Sequence, residues 1–181
     1  VEFQSARTPA YQAALERLNQ KGLVFACRCT RKDLQAAVDG AVRAPHGAED
    51  LGPHYPGTCA PLGLPLNGPY TVRAQGDGFP VRRADGAWAY TLAVVVDDAA
   101  SGITHVVRGK DLFAYTAVHR LLQHLLDLPE PVYWHHPLLL DSNGEKLAKS
   151  KSSPALSVRR WAGENGPELI DNLRQGTLML G

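Results

Sequence analysis

Three cysteines in the first third of the chain have the residue type and spacing most suggestive of chemistry. Cys27 and Cys29 are separated by a single residue, and Cys59 follows later in a Tyr55-x3-Cys59 pattern. An odd number of cysteines argues against a disulfide framework, whereas thiolates are preferred soft ligands of zinc. The spacing therefore predicts a structural zinc site, with ordinary buried or free thiols as the alternative.

A zinc site built on three sulfurs needs a fourth ligand. From residue chemistry alone His46 or His54 is favoured, because imidazole binds zinc at neutral pH while the phenol of Tyr55 must first lose a proton from a pKa of about 10. The surrounding residues 39–69 are rich in Gly, Pro, Ala and His and have no sustained hydrophobic period. We expect a long loop or small subdomain there, ordered by the metal because it lacks a hydrophobic core of its own.

A second group of residues suited to chemistry is the basic sequence Lys146-Leu147-Ala148-Lys149-Ser150. Lysines on a loop at the carboxyl end of a parallel sheet are well placed to neutralise phosphate charge that develops in a nucleotidyl transfer. An ordinary solvent-exposed basic turn shows the same spacing of two lysines. The loop therefore indicates phosphate binding only in combination with the ordered motifs that precede it.

Hydrophobic patterning and capping signals predict the elements that position these residues. Residues 8–22 predict an amphipathic helix with a proline in its first turn and a glycine stop, and residues 23–29 predict a strand. Thr30 followed by Asp33 predicts the capped start of a second helix.

Regular patterning returns after the irregular segment. Asp85-Gly86 predicts a hairpin turn between residues 81–83 and 88–96. Residues 92–96 form an apolar run that is typical of a buried central strand. A strand is also predicted at 70–73, before this hairpin. Strands at 103–107, 132–134 and 138–140, with a helix capped by Asp111 after the first of them, predict a β-α-β unit and a mostly parallel sheet.

Composition narrows the class of protein. The chain has 181 residues, 44% of them hydrophobic, which suits a single domain with a substantial core. A formal net charge of +1 gives no global basic field, so charge neither supports nor excludes a nucleic-acid partner. No apolar run is long enough to span a bilayer, so we expect a cytoplasmic protein without a membrane partner.

Several motifs in a fixed order resemble the class I glutamyl/glutaminyl synthetase catalytic domain. They are Tyr90-x-Leu92-Ala93-Val94-Val95-Val96-Asp97-Asp98, Thr104-His105-Val106-Val107-Arg108-Gly109, His135-x-Pro137-Leu138 and the lysine loop, which resembles the Lys-Met-Ser-Lys-Ser signature. The resemblance runs over residues 4–157. Within this group, the chain resembles the glutamyl-Q subfamily in two features. These are the Cys-x-Cys and Tyr-x3-Cys pattern and the end of the chain soon after the lysine loop.

The resemblance implies an α/β fold, the later part of a Rossmann-type catalytic domain over residues 1–181, with a zinc-binding insert at residues 22–69. It implies activation of glutamate with ATP, together with Mg²⁺, and transfer of the glutamyl group to the queuosine base of tRNA(Asp). Zinc would have a structural role.

Individual roles are also implied by the resemblance. Tyr90 and Arg108 would contact glutamate, since a guanidinium offers a bidentate fork to a carboxylate and a buried tyrosine hydroxyl can orient the ligand. From the residues alone, a purely structural role is favoured for each: a core aromatic for Tyr90 and a surface charge at a strand end for Arg108. The implied zinc ligands are Cys27, Cys29, Tyr55 and Cys59, in place of the histidine favoured above.

For ATP, the resemblance implies that Lys149 is the principal phosphate contact and a catalytic residue, with Lys146 as its helper. Backbone groups of residues 135–139 would border the adenine. Ala148 replaces the first serine of the signature, which removes a hydroxyl but neither charge.

The sequence departs from the family in one major respect. No His-x-Gly-His-type phosphate motif is present, so the chain is expected to be incomplete at its N-terminus and, on its own, unable to form glutamyl adenylate. Two alternatives therefore stay open: a fragment of an ordinary glutamyl-tRNA synthetase, and a non-catalytic, zinc-stapled RNA-binding module.

Overall fold

The structure is a computed structural model that describes residues 3–38, 55–76, 78–140, 146–147 and 155–175. The chain divides into two compact units, Val1–His135 and His136–Gly181. Across these described ranges, no helix combines the length and the apolar character needed to cross a membrane. His46, His54, Ala148, Lys149 and Ser150 lie outside the described residues.

Helix α1 (Thr8–Gln20) and strand β1 (Val24–Cys27) form as predicted. The apolar stripe of α1 is buried, with Leu18 wholly inaccessible to solvent. Gly22 adopts a left-handed φ of 69°, which a residue with a Cβ rarely adopts, and so lets the chain reverse from the helix into the strand. Helix α2 (Arg31–Val38) begins with the predicted cap, in which Asp33 accepts hydrogen bonds from the backbone N–H and the hydroxyl of Thr30.

The larger sheet contains β1, β2 (Thr71–Ala74) and β3 (Pro80–Arg82) in the order β1-β2-β3. Both pairs are antiparallel, with Cys27 opposite Thr71 and a register irregularity between β2 and β3. The mostly parallel sheet was predicted from the later strands 103–107, 132–134 and 138–140, whereas this sheet is antiparallel, because a short turn can join β2 to β3 only as antiparallel neighbours.

Helix α3 (Tyr90–Ala100) occupies the place where the sequence predicted a buried strand. Of the predicted hairpin, an antiparallel bridge between Arg82 and Trp88 remains, together with backbone hydrogen bonds from Arg83 to Ala87 at 2.8 Å and from Ala89 to Val81 at 3.1 Å. Val95 is buried together with Thr91 and Leu92, which precede it by four and three residues, and that separation is the period of a helix face.

A β-α-β unit completes the first compact unit, as predicted. It consists of β4 (His105–Gly109), α4 (Phe113–Leu125) and β5 (Val132–His136), and the two strands pair in a separate two-stranded sheet. The predicted cap is displaced, since a 3-10 turn over Lys110–Leu112 contains Asp111 and α4 starts after it.

The second compact unit contains α5 (Leu156–Trp161) and α6 (Gly166–Gln175). Of the predicted strand at 138–140, only Leu140 forms an isolated antiparallel bridge, and its partner is Lys146.

Asp97 in the last turns of α3 joins that helix to the start of the chain. Its carboxylate accepts hydrogen bonds from Gln4 at 3.2 Å, from Arg7 at 2.5 Å and from the hydroxyl of Tyr11 at 2.7 Å. Burial, reinforced by this carboxylate, raises the pKa of Tyr11 to about 12, so Tyr11 stays a donor at any physiological pH. Around this link, residues from α1, the larger sheet, α3 and α4 form the main hydrophobic core.

Candidate active site and metal centre

The three cysteines meet at the end of β1. Their sulfur atoms all lie within 4.8 Å of one another, and Cys29 Sγ is 3.4 Å from Cys59 Sγ. Cys27 and Cys59 are buried and Cys29 is partly exposed. Tetrahedral zinc with bonds of about 2.3 Å would place its sulfurs about 3.8 Å apart, so the three thiols fit such an ion.

The pKa values of two thiols in the cluster are shifted in opposite directions. Burial raises the pKa of Cys29 to about 11, assisted by hydrogen bonds to Cys59 and Cys27. Burial also acts to raise the pKa of Cys59. Hydrogen bonds from the Arg28 backbone and the two neighbouring thiols outweigh this effect of burial and lower the pKa of Cys59 to about 7. The cluster can therefore stabilise a thiolate, the form of cysteine that binds metals.

Tyr55 packs in the same small core as the cysteines. Its hydroxyl oxygen accepts hydrogen bonds from the backbone N–H groups of Cys59 and Ala60, the latter at 2.9 Å. The ring is held by Phe25 at a centroid distance of 5.0 Å and by the guanidinium carbon of Arg73 at 5.7 Å. Burial raises the pKa of Tyr55, partly offset by the two backbone hydrogen bonds.

Arg108 on β4 is buried, with only 9% of its surface exposed, contrary to the alternative that it is a surface charge. Its guanidinium donates from Nε to His135 Nε2 at 3.3 Å, from Nη1 to His119 Nδ1 at 3.1 Å and from Nη2 to Thr116 Oγ1 at 2.7 Å. The guanidinium carbon lies 5.0 Å from the ring centroid of Tyr133. Every partner is formally neutral.

No carboxylate among the described residues lies within ion-pair distance of Arg108. Asp98 is near enough to respond to it: burial and the charge of Asp97 raise the pKa of Asp98, and the guanidinium of Arg108 offsets part of that rise. A buried charge without a counter-charge is costly, so proteins normally pair it. The arrangement therefore suits an anionic ligand, which would supply the missing charge.

Tyr90 is the first residue of α3, and 49% of its surface is exposed. The structure thus differs from the expected buried hydroxyl and also from a core aromatic. Its ring lies edge-on to His119, with centroids 5.6 Å apart. Because His119 also accepts a hydrogen bond from Arg108, the two predicted glutamate contacts are brought together around one imidazole.

His119 is 1% exposed, and burial and then the charge of Arg108 lower its pKa to about 4. The imidazole is therefore neutral at physiological pH. Its Nε2 has no hydrogen-bond partner within the described part of the chain.

Sequence reasoning did not identify Thr116, His119, Tyr133 and His135 as side chains of this site. One signal was present for His119. It lies one residue after Val118 and three before Leu122, both in the apolar stripe of α4, so helical periodicity places it on the buried face. The contacts across β4, α4 and β5 have no counterpart in local sequence.

The described lysine of the basic loop lies in the second compact unit. The Leu147 N–H donates to the Leu139 carbonyl at 3.0 Å, which extends the bridge between Leu140 and Lys146. A cleft of about 430 Å³ is lined by residues 136–139, Lys146, Leu147 and Leu173. Lys146 and the segment after β5 are thus brought together.

Comparison with known proteins decides the family. The family model tRNA synthetases class I (E and Q), catalytic domain, matches residues 69–173. A glutamyl-Q tRNA(Asp) synthetase from Rhodobacter capsulatus is 40% identical over 205 residues, covering 92% of this chain and 72% of the relative. The chain belongs to the glutamyl-Q tRNA(Asp) synthetase family.

Two further glutamyl-Q tRNA(Asp) synthetases show the same relationship. The one from Burkholderia cenocepacia is 43% identical over 179 residues, with 85% of this chain and 58% of the relative covered. The one from Xanthomonas axonopodis pv. citri is 47% identical over 159 residues, with 84% and 53% covered. The chain thus spans 53% to 72% of the length of these three relatives.

Solved structures agree on the fold. The glutamate tRNA ligase of Elizabethkingia meningosepticum, in complex with its amino acid, aligns over 81% of this chain and 36% of that chain, with a TM-score of 0.58 and 22% identity. The glutamate-tRNA synthetase of Elizabethkingia anophelis aligns over 82% and 37%, with a TM-score of 0.59 and 22% identity. The predicted α/β class I synthetase fold is therefore confirmed for this chain.

Proposed function

We propose that the protein activates glutamate with ATP, in the presence of Mg²⁺, and attaches the glutamyl group to the queuosine base of tRNA(Asp). Relatives with 40% and 47% identity bear the name glutamyl-Q tRNA(Asp) synthetase, which supports both the amino acid and the acceptor. The observation that carries the proposal within this chain is the buried guanidinium of Arg108, whose partners among the described residues are all neutral.

Arg108 binds a carboxylate of glutamate. Its three hydrogen bonds use three of the five N–H groups that a guanidinium carries, and the remaining two are available to a ligand. Tyr90, half exposed beside His119, offers a hydroxyl that orients the amino acid. Binding supplies the negative charge that the described surroundings of Arg108 lack, which supports a ligand that carries a carboxylate.

Activation joins the bound glutamate to ATP. An oxygen of the glutamate α-carboxylate attacks the α-phosphorus, the bond to pyrophosphate breaks, and glutamyl adenylate forms. Lys149, with Lys146 as helper, neutralises the developing phosphate charge, while backbone groups of residues 135–139 border the adenine. The cleft formed by residues 136–139 and Lys146 supports this assignment. A nucleophilic group of the queuosine base then attacks the glutamyl carbonyl carbon and AMP leaves.

Zinc is assigned a structural role, held by Cys27, Cys29, Cys59 and Tyr55. The convergence of three thiols supports the metal. The location of the Tyr55 hydroxyl against the Cys59 backbone supports tyrosine as the fourth ligand. When bound, zinc would staple the end of β1 to the segment around Cys59.

Substitution of Arg108 tests the amino-acid assignment. In glutamate-dependent pyrophosphate exchange by the complete protein, we expect Arg108→Ala to raise the KM for glutamate on the order of 10- to 100-fold, because a hydrogen bond to a charged group contributes roughly 1.5–3 kcal/mol. The KM for ATP should change far less. Arg108→Lys should recover only part of the loss, since an ammonium cannot form the bidentate fork. Equal losses towards both substrates would indicate a folding defect and contradict the assignment.

Acceptor assays separate the proposal from its alternatives. Transfer to tRNA(Asp) that carries queuosine, and none to the same tRNA without it, is the expected result. Charging of tRNA(Glu) would favour an ordinary glutamyl-tRNA synthetase. Binding of RNA without any pyrophosphate exchange would favour the non-catalytic module.

A further inference from the structure

We propose that His119 is a positioning residue for the glutamate site, because its unprotonated Nδ1 fixes the guanidinium of Arg108 in the orientation that leaves two N–H groups for the substrate. The inference rests on the proposed binding of glutamate by Arg108. His119 acts through Arg108 and needs no contact with glutamate itself.

Donor and acceptor chemistry determines the state of the imidazole. A guanidinium has only donors, so the nitrogen 3.1 Å from Arg108 Nη1 must offer a lone pair. The proton of His119 therefore resides on Nε2. Neutral His119 is also what its burial and the charge of Arg108 favour, since together they lower its pKa to about 4.

The other two acceptors form a second, linked hydrogen-bond chain. Thr116 Oγ1 accepts from Arg108 Nη2 at 2.7 Å, and its hydroxyl shares the single lone pair of His135 Nε2, 3.0 Å away, with Arg108 Nε. Thr116 and His135 thus support each other on one side of the guanidinium, and His119 alone holds Nη1.

A purely structural role explains His119 poorly. Its Nε2–H is buried and has no partner among the described residues, and an unsatisfied buried donor is destabilising. The imidazole is also the ring that packs edge-on against Tyr90, at 5.6 Å. One side chain on α4 therefore sets the relative position of both proposed glutamate contacts.

The test uses three variants of the complete protein in pyrophosphate exchange, with glutamate and ATP varied separately. We expect His119→Leu, which removes the acceptor, to raise the KM for glutamate roughly tenfold or more while the KM for ATP stays within about twofold. His119→Gln keeps a neutral acceptor and should recover most of the loss. Val118→Ala is the matched control, because Val118 is buried on the same helix next to His119, packs in the main hydrophobic core and has no hydrogen-bonding side chain. Its glutamate KM should rise much less.

A spectroscopic measurement checks the geometry without reference to catalysis. Imidazole ¹⁵N shifts of the wild-type protein should show His119 protonated at Nε2 and unprotonated at Nδ1 at pH 7, and protonation at Nδ1 would overturn the proposal. It would also be overturned if His119→Leu left the glutamate KM unchanged, or if His119→Gln were as impaired as His119→Leu. Failure of wild-type protein to use glutamate at all would instead refute the proposed function, so the two failures are distinguishable.

Discussion

At the scale of single residues, the candidate site keeps a guanidinium charged among partners that are neutral. That arrangement depends on pH through His119, which faces Arg108 from β4, Tyr90 from α3, Tyr133 from β5 and Tyr115 on its own helix. Among these neighbours the cationic side chain is the guanidinium of Arg108. A proton on His119 would place two cations side by side.

Acid should therefore destabilise the fold through His119. The pKa of this group falls from an ordinary 6.5 to about 4 in the folded protein, so the unfolded chain takes up the proton first. Its contribution to the free energy of unfolding is intact above pH 6.5 and declines by at most roughly 3 kcal/mol as the pH falls to about 4. Chemical denaturation across this range should show a loss in wild type that His119→Gln lacks. Subtracting the two curves removes the shared titration of Asp98, and parallel curves would contradict the assigned cause.

The identity of the fourth zinc ligand can be tested by substituting single residues. Elemental analysis should find about one zinc per chain. We expect Tyr55→Phe to weaken zinc affinity measurably, because it removes only the oxygen held beside Cys59. His46→Ala and His54→Ala should leave the affinity unchanged. The reverse pattern would assign the ligand to a histidine.

At the scale of elements, the segment between β2 and β3 holds Tyr55 in place. A Cβ built on Gly78 would lie 2.4 Å from the Cβ of Tyr55, whereas one on Gly76 would meet nothing within 4 Å. Both glycines have a left-handed φ, of 68° and 82°, so substitution strains the backbone at each. Gly76→Ala is thus a matched control. Gly78→Ala should cost about 1–3 kcal/mol more in stability and should also weaken zinc binding. Equal effects of the two would show that the close approach to Tyr55 is unimportant.

Helix α3 shows where prediction of elements from the sequence succeeds and where it fails. The apolar run 92–96 fits a buried strand and a buried helix equally well, because neither period is visible when every position is apolar. The residues that follow carry the deciding signal: Ala99 and Ala100 favour a helix, and Gly102 ends it with a φ of 65°. Helix α1, strand β1, the cap of α2 and the β-α-β unit were predictable, because each depends on local pattern and short-range hydrogen bonds.

The candidate site divides in the same way. Local spacing predicted the thiol cluster, and ordered motifs drew attention to Tyr90 and Arg108. The hydrogen bonds of Thr116 and His135 to Arg108 join α4 and β5 to β4 and arise only when the chain folds. Spacing along the chain carries no information about such contacts.

At the scale of the whole molecule, the first compact unit contains two separate hydrophobic clusters. One is the main core, and the other surrounds Tyr55 and the cysteines. Removal of zinc by a chelator should therefore loosen the small cluster first. Limited proteolysis should gain cleavage sites between Cys29 and Cys59, while hydrogen exchange at Leu18, Leu92 and Leu122 in the main core stays slow. Simultaneous loss of both clusters would show that the metal stabilises the entire unit.

Helix α3 connects the candidate site at one end to a hydrogen-bonded anchor near the other. Tyr90 lies at its first residue and Asp97, anchored by Gln4, Arg7 and Tyr11, lies about 10 Å further along the axis. Because a helix bends little over two turns, we expect that loosening this anchor would shift Tyr90 as well. Substitution of Arg7 or Tyr11 is therefore expected to alter the presentation of Tyr90 to the proposed glutamate site while every residue around Arg108 is left unchanged.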